Sequence, residues 1–198
     1  MWKSRELTLV ILFAVTAFVY HGSIGQLPLL ITGIPGLGYY FVIGLNIIFG
    51  TAFLMFEGKR WRYFFFGALF CLLMGFIHVI LNPFYVFANV PTLIASFVAD
   101  VVFNSFYKEF QRRKQLKWLS IMQVTVGHSI LDTFLRILLL PLLMPPEFTT
   151  TFTSVTLMMF PLILFYGVAG GYISFKIYSR INKPVRGERG GLEGTKVD

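Results

Sequence analysis

Residues Trp118–Leu143 read WLSIMQVTVGHSILDTFLRILLLPLL, a run of 26 residues whose only ionisable side chains are His128, Asp132 and Arg136. A helix needs about 20 mostly apolar residues to cross the hydrocarbon of a bilayer, where no backbone polar group is left unpaired. This stretch is long enough to span. Five others match it, over 7–24, 38–56, 61–82, 84–107 and 152–180. The reading is therefore an all-α, polytopic membrane bundle of six transmembrane helices. Pro91 interrupts the fourth run, so residues 82–90 are expected as a connection, with the helix proper starting near that proline.

Composition agrees. Of 198 residues, 56% are hydrophobic and only 13% charged, too little polar surface to coat a soluble globule of this size. Charge placement tests the division independently, because Lys and Arg gather in the loops on the cytoplasmic side. Lys3 and Arg5 precede the first run. Lys59, Arg60 and Arg62 join the second to the third, Lys108, Arg112, Arg113, Lys114 and Lys117 the fourth to the fifth, and Lys176, Arg180, Lys183, Arg186, Arg189 and Lys196 close the chain. These are 16 of the 17 basic residues, all in the connections or near the span ends on one side, and only Arg136 is left, deep inside a span. Both termini are expected in the cytoplasm of a cell-membrane protein. Trp2, Trp61 and Trp118 fall at the same span ends, where an indole suits the headgroup level.

The net charge of +8 follows from this topology and from attraction to anionic membrane lipid, and implies no nucleic-acid partner. The first run leads into further spans without a small-x-small cleavage site, so it is expected to be retained as the first helix. Cys71 is the only cysteine, within a span, with no disulfide partner and no metal cluster. Residues 1–181 are expected to form the membrane domain and 182–198, rich in Gly and charge, a disordered cytoplasmic tail. Within it, Gly190 to Lys196 lacks the Gly-Lys-Ser/Thr order of a phosphate loop, so no nucleotide site or other cofactor is expected.

The connection Gly22–Gly38 is apolar yet punctuated by Gly22, Gly25, Pro28, Gly33, Pro35, Gly36 and Gly38. Two readings stay open: a lid over a cavity, or a membrane-surface segment tying two helices together. Small residues four apart, Gly67, Cys71 and Gly75 in one span and Gly167 with Gly171 in another, mark close helix approaches, with packing inside the chain as the default.

Ionisable groups at membrane depth cost at least ~2.5 kcal/mol on insertion scales and usually face a cavity or one another. His128, Asp132 and Arg136 recur every four residues and so share one helix stripe. A rise of about 1.5 Å per residue places them from mid-membrane to the outer surface. One reading is an intrahelical Asp132–Arg136 salt bridge with packing around it. The sharper one is an outward pocket in which Arg136 binds an anionic group and Asp132 orients it. In the antiparallel fourth span, Ser96, Asp100 and Asn104 share a face, and matching depths pairs Asp100 with His128. Asn46, His78, Asn82, Tyr85 and Asn89, among Tyr20, Phe84 and Phe87, complete an outer set suited to a planar polar ligand.

The opening Lys3-Ser-Arg-Glu-Leu-Thr-Leu, Val98-Ala-Asp100 followed by Arg112-Arg113-Lys114, and the closing Gly167-Val-Ala-Gly-Gly171 stand within an organisation that resembles the substrate-binding S components of energy-coupling-factor vitamin transporters. The resemblance covers residues 1–180. It implies an outer substrate cavity built from Asn82–Asn89, the upper fifth helix and the 22–38 segment. It also implies a membrane coupling subunit driven by two ATPases, docking on small residues of the first helix, for which Ala14 and Ala17 are the matching positions. Phe18 occupies the next position expected to be small. Metal-transporting relatives begin with a His-bearing segment that Met1-Trp2-Lys3 lacks, so the implied substrate is a vitamin-like small molecule. Two rivals stand beside it. An intramembrane enzyme would use His78, His128, Asp100 and Asp132 on a lipid or peptide, although His-Glu-x-x-His is absent. A structural or assembly subunit would use the polar stripe only for packing.

Overall fold

The computed structural model describes residues 2–34, 37–81 and 83–182. Asn82, Pro35, Gly36 and the expected tail from residue 183 onward lie outside them. Six helices are long and apolar enough to cross a membrane: α1 (Ser4–Thr32), α2 (Leu37–Met55), α3 (Arg62–Ile80), α4 (Tyr85–Arg112), α5 (Leu116–Leu143) and α6 (Pro146–Ile181). No strand occurs among the described residues. The chain is a multi-pass, all-α membrane bundle. Large apolar side chains such as Leu12, Val19, Phe76, Leu142 and Met158 stand exposed on its outside, as lipid-facing residues must.

The helices pack in the cyclic order α1, α3, α4, α5, α6, α2, with α2 the most buried and also reaching α5. Its Phe49 is fully buried. Edge-on aromatic contacts join it to Phe66 and Phe70 of α3, at centroid distances of 4.6 and 5.5 Å. The α2–α6 pairing is close because Gly50 and Gly170 lack side chains. A Cβ at Gly50 would lie 2.5 Å from Ser174 Oγ, and one at Gly170 2.7 Å from Asn46 Cβ. Of the small-residue positions, Gly67 faces Ser96, Gly167 faces Ser129 and Thr125, and Gly171 faces Ser120 and Ile121, all contacts within the chain. Gly75 is different: nothing approaches within 4 Å of where its Cβ would be, so it makes no close helix approach.

Two helices carry a wide turn. In α1 the first 17 residues are α-helical, His21–Gly25 form a π-turn, and Leu27–Thr32 resume the helix. Gly33, at φ +70°, then ends it in the left-handed conformation favoured by glycine. The connection read from its glycines and prolines is thus largely helical. Helix α5 has a π-turn over Gln123–Ile130, and such turns are frequent at functional sites. Residues Pro83–Ala88 make a 3₁₀ turn before the α-helix from Asn89, which puts Pro91 in the first turn, where its missing N–H costs nothing.

At one end of the bundle, Glu6 beside the N-terminus accepts from Lys59 Nζ at 2.9 Å and from Arg62. Tyr107 of α4 donates to Leu54 O of α2 and meets Tyr178 of α6. Both described chain ends and the basic connections gather here. The opposite end holds the connections after α1, α3 and α5.

Asp100 belongs to the basic end. Its carboxylate accepts from the backbone N–H of Trp61 and Phe64, at 2.9 and 2.8 Å, and from Asn104 Nδ2 at 2.9 Å. It therefore caps the first turn of α3 and satisfies donors that a helix start leaves free. The expected Asp100–His128 pair is not formed. The two helices do meet at this level, where a Cβ on Gly127 would touch Phe103 and Ala99 of α4, but Asp100 turns toward α3 instead.

Candidate functional site

The end away from the basic connections contains a cavity of about 150 Å³, reached by residues of every helix. Three groups of side chains define its chemistry.

Asp132 and Arg136 come from the α-helical turn that follows the π-turn of α5, and their four-residue spacing brings them into contact. Arg136 Nε donates to Asp132 Oδ2 at 2.6 Å. Thr92 of α4 closes a triangle: its Oγ1 donates to Asp132 Oδ1 at 2.7 Å and accepts from Arg136 Nη2 at 2.6 Å. The Arg136 side chain is only 18% exposed. A guanidinium carries five N–H donors. Among the described residues Arg136 spends two, so three remain beside the cavity.

The second group is a pair of imidazoles held by one amide. Gln26, just after the π-turn of α1, places its Nε2 3.1 Å from His21 Nε2 and 3.5 Å from His78 Nε2. One side-chain amide thus stands between the two rings, and the tautomer of each ring sets which atom donates. The π-turn permits this: a Cβ on Gly25 would lie 2.5 Å from His21 Nδ1. A Cβ on Gly38, where α2 begins, would lie 2.6 Å from the Gly25 carbonyl, so the two backbones touch. The last turns of α1 and the first turn of α2 thus contribute His21, Gln26, Leu29 and Tyr39 to the wall. Lining the wall is what a lid requires, and the exposed Leu30 and Ile31 are what a membrane-surface segment requires, so both readings of the 22–38 connection stand.

The third group is aromatic. His128 stacks on Phe49 with centroids 4.2 Å apart and planes at 16°. Tyr85 stands edge-on to His78 and to Phe148, and Tyr39 leans on Phe152.

Of the residues expected in the site, His78, Tyr85, Asn89, His128, Asp132 and Arg136 line this cavity together. Asn89 also ties α4 to α3, its Nδ2 donating to Cys71 O at 3.3 Å. Asn46 does not line it. Asn46 is fully buried between helices, donating to Ser129 Oγ at 3.3 Å, and is a packing link. Asn82 lies outside the described residues. Asp100 faces α3, which breaks up the His78, His128, Asp100 and Asp132 constellation of the enzyme reading. Ala14 and Ala17 are fully buried against the chain's own helices, so neither can dock a partner.

Sequence reasoning missed Thr92, His21, Gln26 and Tyr39. Thr92 is one turn before Ser96 on a face already marked as polar, a signal that was present. Gln26 sits where glycines and prolines read as irregular chain, which hides its helical placement, whereas His21 and Tyr39 fall within the first and second spans but share no stripe with other polar residues that would mark them. Comparison with protein-family models, curated proteins and solved structures finds no match to this chain.

Proposed function

We propose that the chain is a substrate-binding membrane subunit that captures a vitamin-like small molecule in this cavity, with separate coupling and ATPase subunits supplying the energy for uptake. The observation that carries the reading is Arg136. Its guanidinium is largely buried, held in place by Asp132 and Thr92, and keeps three N–H donors beside a cavity with aromatic walls. A pocket with a few convergent polar groups in an apolar lining is what small-ligand recognition needs. In this reading the basic end faces the cytoplasm of a cell-membrane protein and the cavity opens outward. The resemblance to transporter S components supports it further. With Ala14 and Ala17 covered, coupling falls to another surface.

The test is direct. Native mass spectrometry of the purified protein is expected to find a bound metabolite, and a vitamin panel should contain compounds that raise its melting temperature. Arg136→Lys, which keeps the charge but loses the planar fork, should weaken capture about tenfold with little change in Tm. No bound metabolite and no stabilising compound would sink the proposal.

One observation favours a rival. The Thr92–Asp132–Arg136 triangle also ties α4 to α5, as a structural or assembly subunit would require. The two readings separate on a variant that removes both charges.

A further inference from the structure

The charge inventory of the cavity is short. Among its lining residues only Asp132 and Arg136 carry full charges, and they are paired with each other. The remaining titratable groups facing it as possible cations are His21 of α1, His78 of α3 and His128 of α5. The first two meet the neutral side-chain amide of Gln26 through Nε2, the third lies flat on Phe49, and among the described residues none of the three forms an ion pair with a carboxylate, Asp132 being taken by Arg136. Pro35, Gly36 and Asn82, outside the described residues, bear no charge in any case. The site is neutral as built.

A buried anion entering such a site would share Arg136 with Asp132 and find no second cation. A neutral carbonyl would meet the same free N–H donors without leaving net charge at membrane depth. Size narrows the choice. The cavity of about 150 Å³ matches, in volume, an engineered cavity that takes up benzene.

We infer that the cavity takes a compact, net-neutral, one-ring ligand that offers a carbonyl-type acceptor to Arg136, in preference to an anion of the same shape. The inference rests on the capture reading above and departs from the sequence expectation of an anionic group on Arg136.

The experiment compares ring-matched probes on the full chain in nanodiscs: benzamide against benzoate, and nicotinamide against nicotinate, by calorimetry and thermal shift. The wild-type protein should prefer the amide of at least one pair by about tenfold, and Asp132→Asn, which leaves Arg136 uncompensated, should reverse that order. Any metabolite released from the purified protein should carry no net charge. A wild-type preference for the carboxylates, or a released metabolite that is an anion, overturns the inference while leaving capture intact. If Asp132→Asn does not fold, the wild-type preference and the charge of the released metabolite decide alone. Absence of binding by every probe, with no metabolite released, overturns the inference and the capture reading together.

Discussion

The bundle buries a carboxylate at each end, and the two are used differently. Asp100 spends its oxygens on three donors from its own chain, two of them backbone N–H groups at the start of α3, and it does not line the cavity that holds Arg136. Asp132 meets one hydroxyl and one guanidinium, and that guanidinium has donors to spare beside open space. The first is closed chemistry, complete within the fold. The second is held open on one side. A buried polar group with all its partners argues for structure, whereas a positioned one with unspent donors argues for a ligand.

The largest effect should come from breaking the closed end. Asp100→Leu leaves the N–H groups of Trp61 and Phe64 without acceptors, and each buried orphan donor costs about 1–3 kcal/mol. A loss of about 3 kcal/mol is expected, read as a fall in thermal or denaturant midpoint. A near-neutral result would mean that water reaches this capping site. Next in size is Gly38→Ala. Its Cβ would meet the Gly25 carbonyl, a backbone atom that cannot rotate away, so the contact between the end of α1 and the start of α2 must shift, at about the cost of overpacking, 1–3 kcal/mol. Ligand release should also be faster. Unchanged release would show that this contact does not position His21 and Gln26.

Much of this contrast was legible in the sequence. Span count follows from apolar length and charge placement, and His128, Asp132 and Arg136 share the cavity because their spacing survives the π-turn that precedes Asp132. Ser96, Asp100 and Asn104 do share a face, and Asp100 and Asn104 both reach the loop or first turn that opens α3. What the sequence hid was azimuth. Residues per turn fix which side chains lie together on one helix, but not which neighbour that face meets. Gln26 was hidden for another reason. A π-turn has no hydrophobic period of its own, and a glycine that lets an imidazole close in looks the same in sequence as a glycine that ends a helix.

A smaller stability effect should accompany a large functional one when both charges at the open end are removed together. Asp132→Asn with Arg136→Gln leaves no uncompensated charge, and side-chain amides can retain part of the hydrogen bonding with Thr92. Replacing a whole buried ion pair is often near neutral, unlike breaking it, so a change within about 1 kcal/mol is expected. Capture should be lost. If instead the double variant unfolds, or binds as before, the triangle is a packing device and the contrast between the two ends disappears.

The smallest expected effect concerns Glu6, at the basic end but on its rim. Three donors meet its carboxylate: Lys59 Nζ at 2.9 Å, Arg62, and the backbone N–H of Lys3 at 3.0 Å, in the first turn of α1. One of its partners, Lys59, has a side chain 44% exposed, so water and salt can replace much of what the pair supplies. Glu6→Gln keeps an acceptor for the Lys3 N–H and removes the charge. It should lower Tm by no more than a few degrees, with the difference shrinking as ionic strength rises. Ligand affinity should not move, because neither Glu6 nor its partners Lys3, Lys59 and Arg62 line the cavity that holds Arg136. A change in affinity at this variant would be the informative failure. It would mean that the packing of α1 carries the state of its first turn to His21 at its other end, so that the closed end sets how far the open end is open.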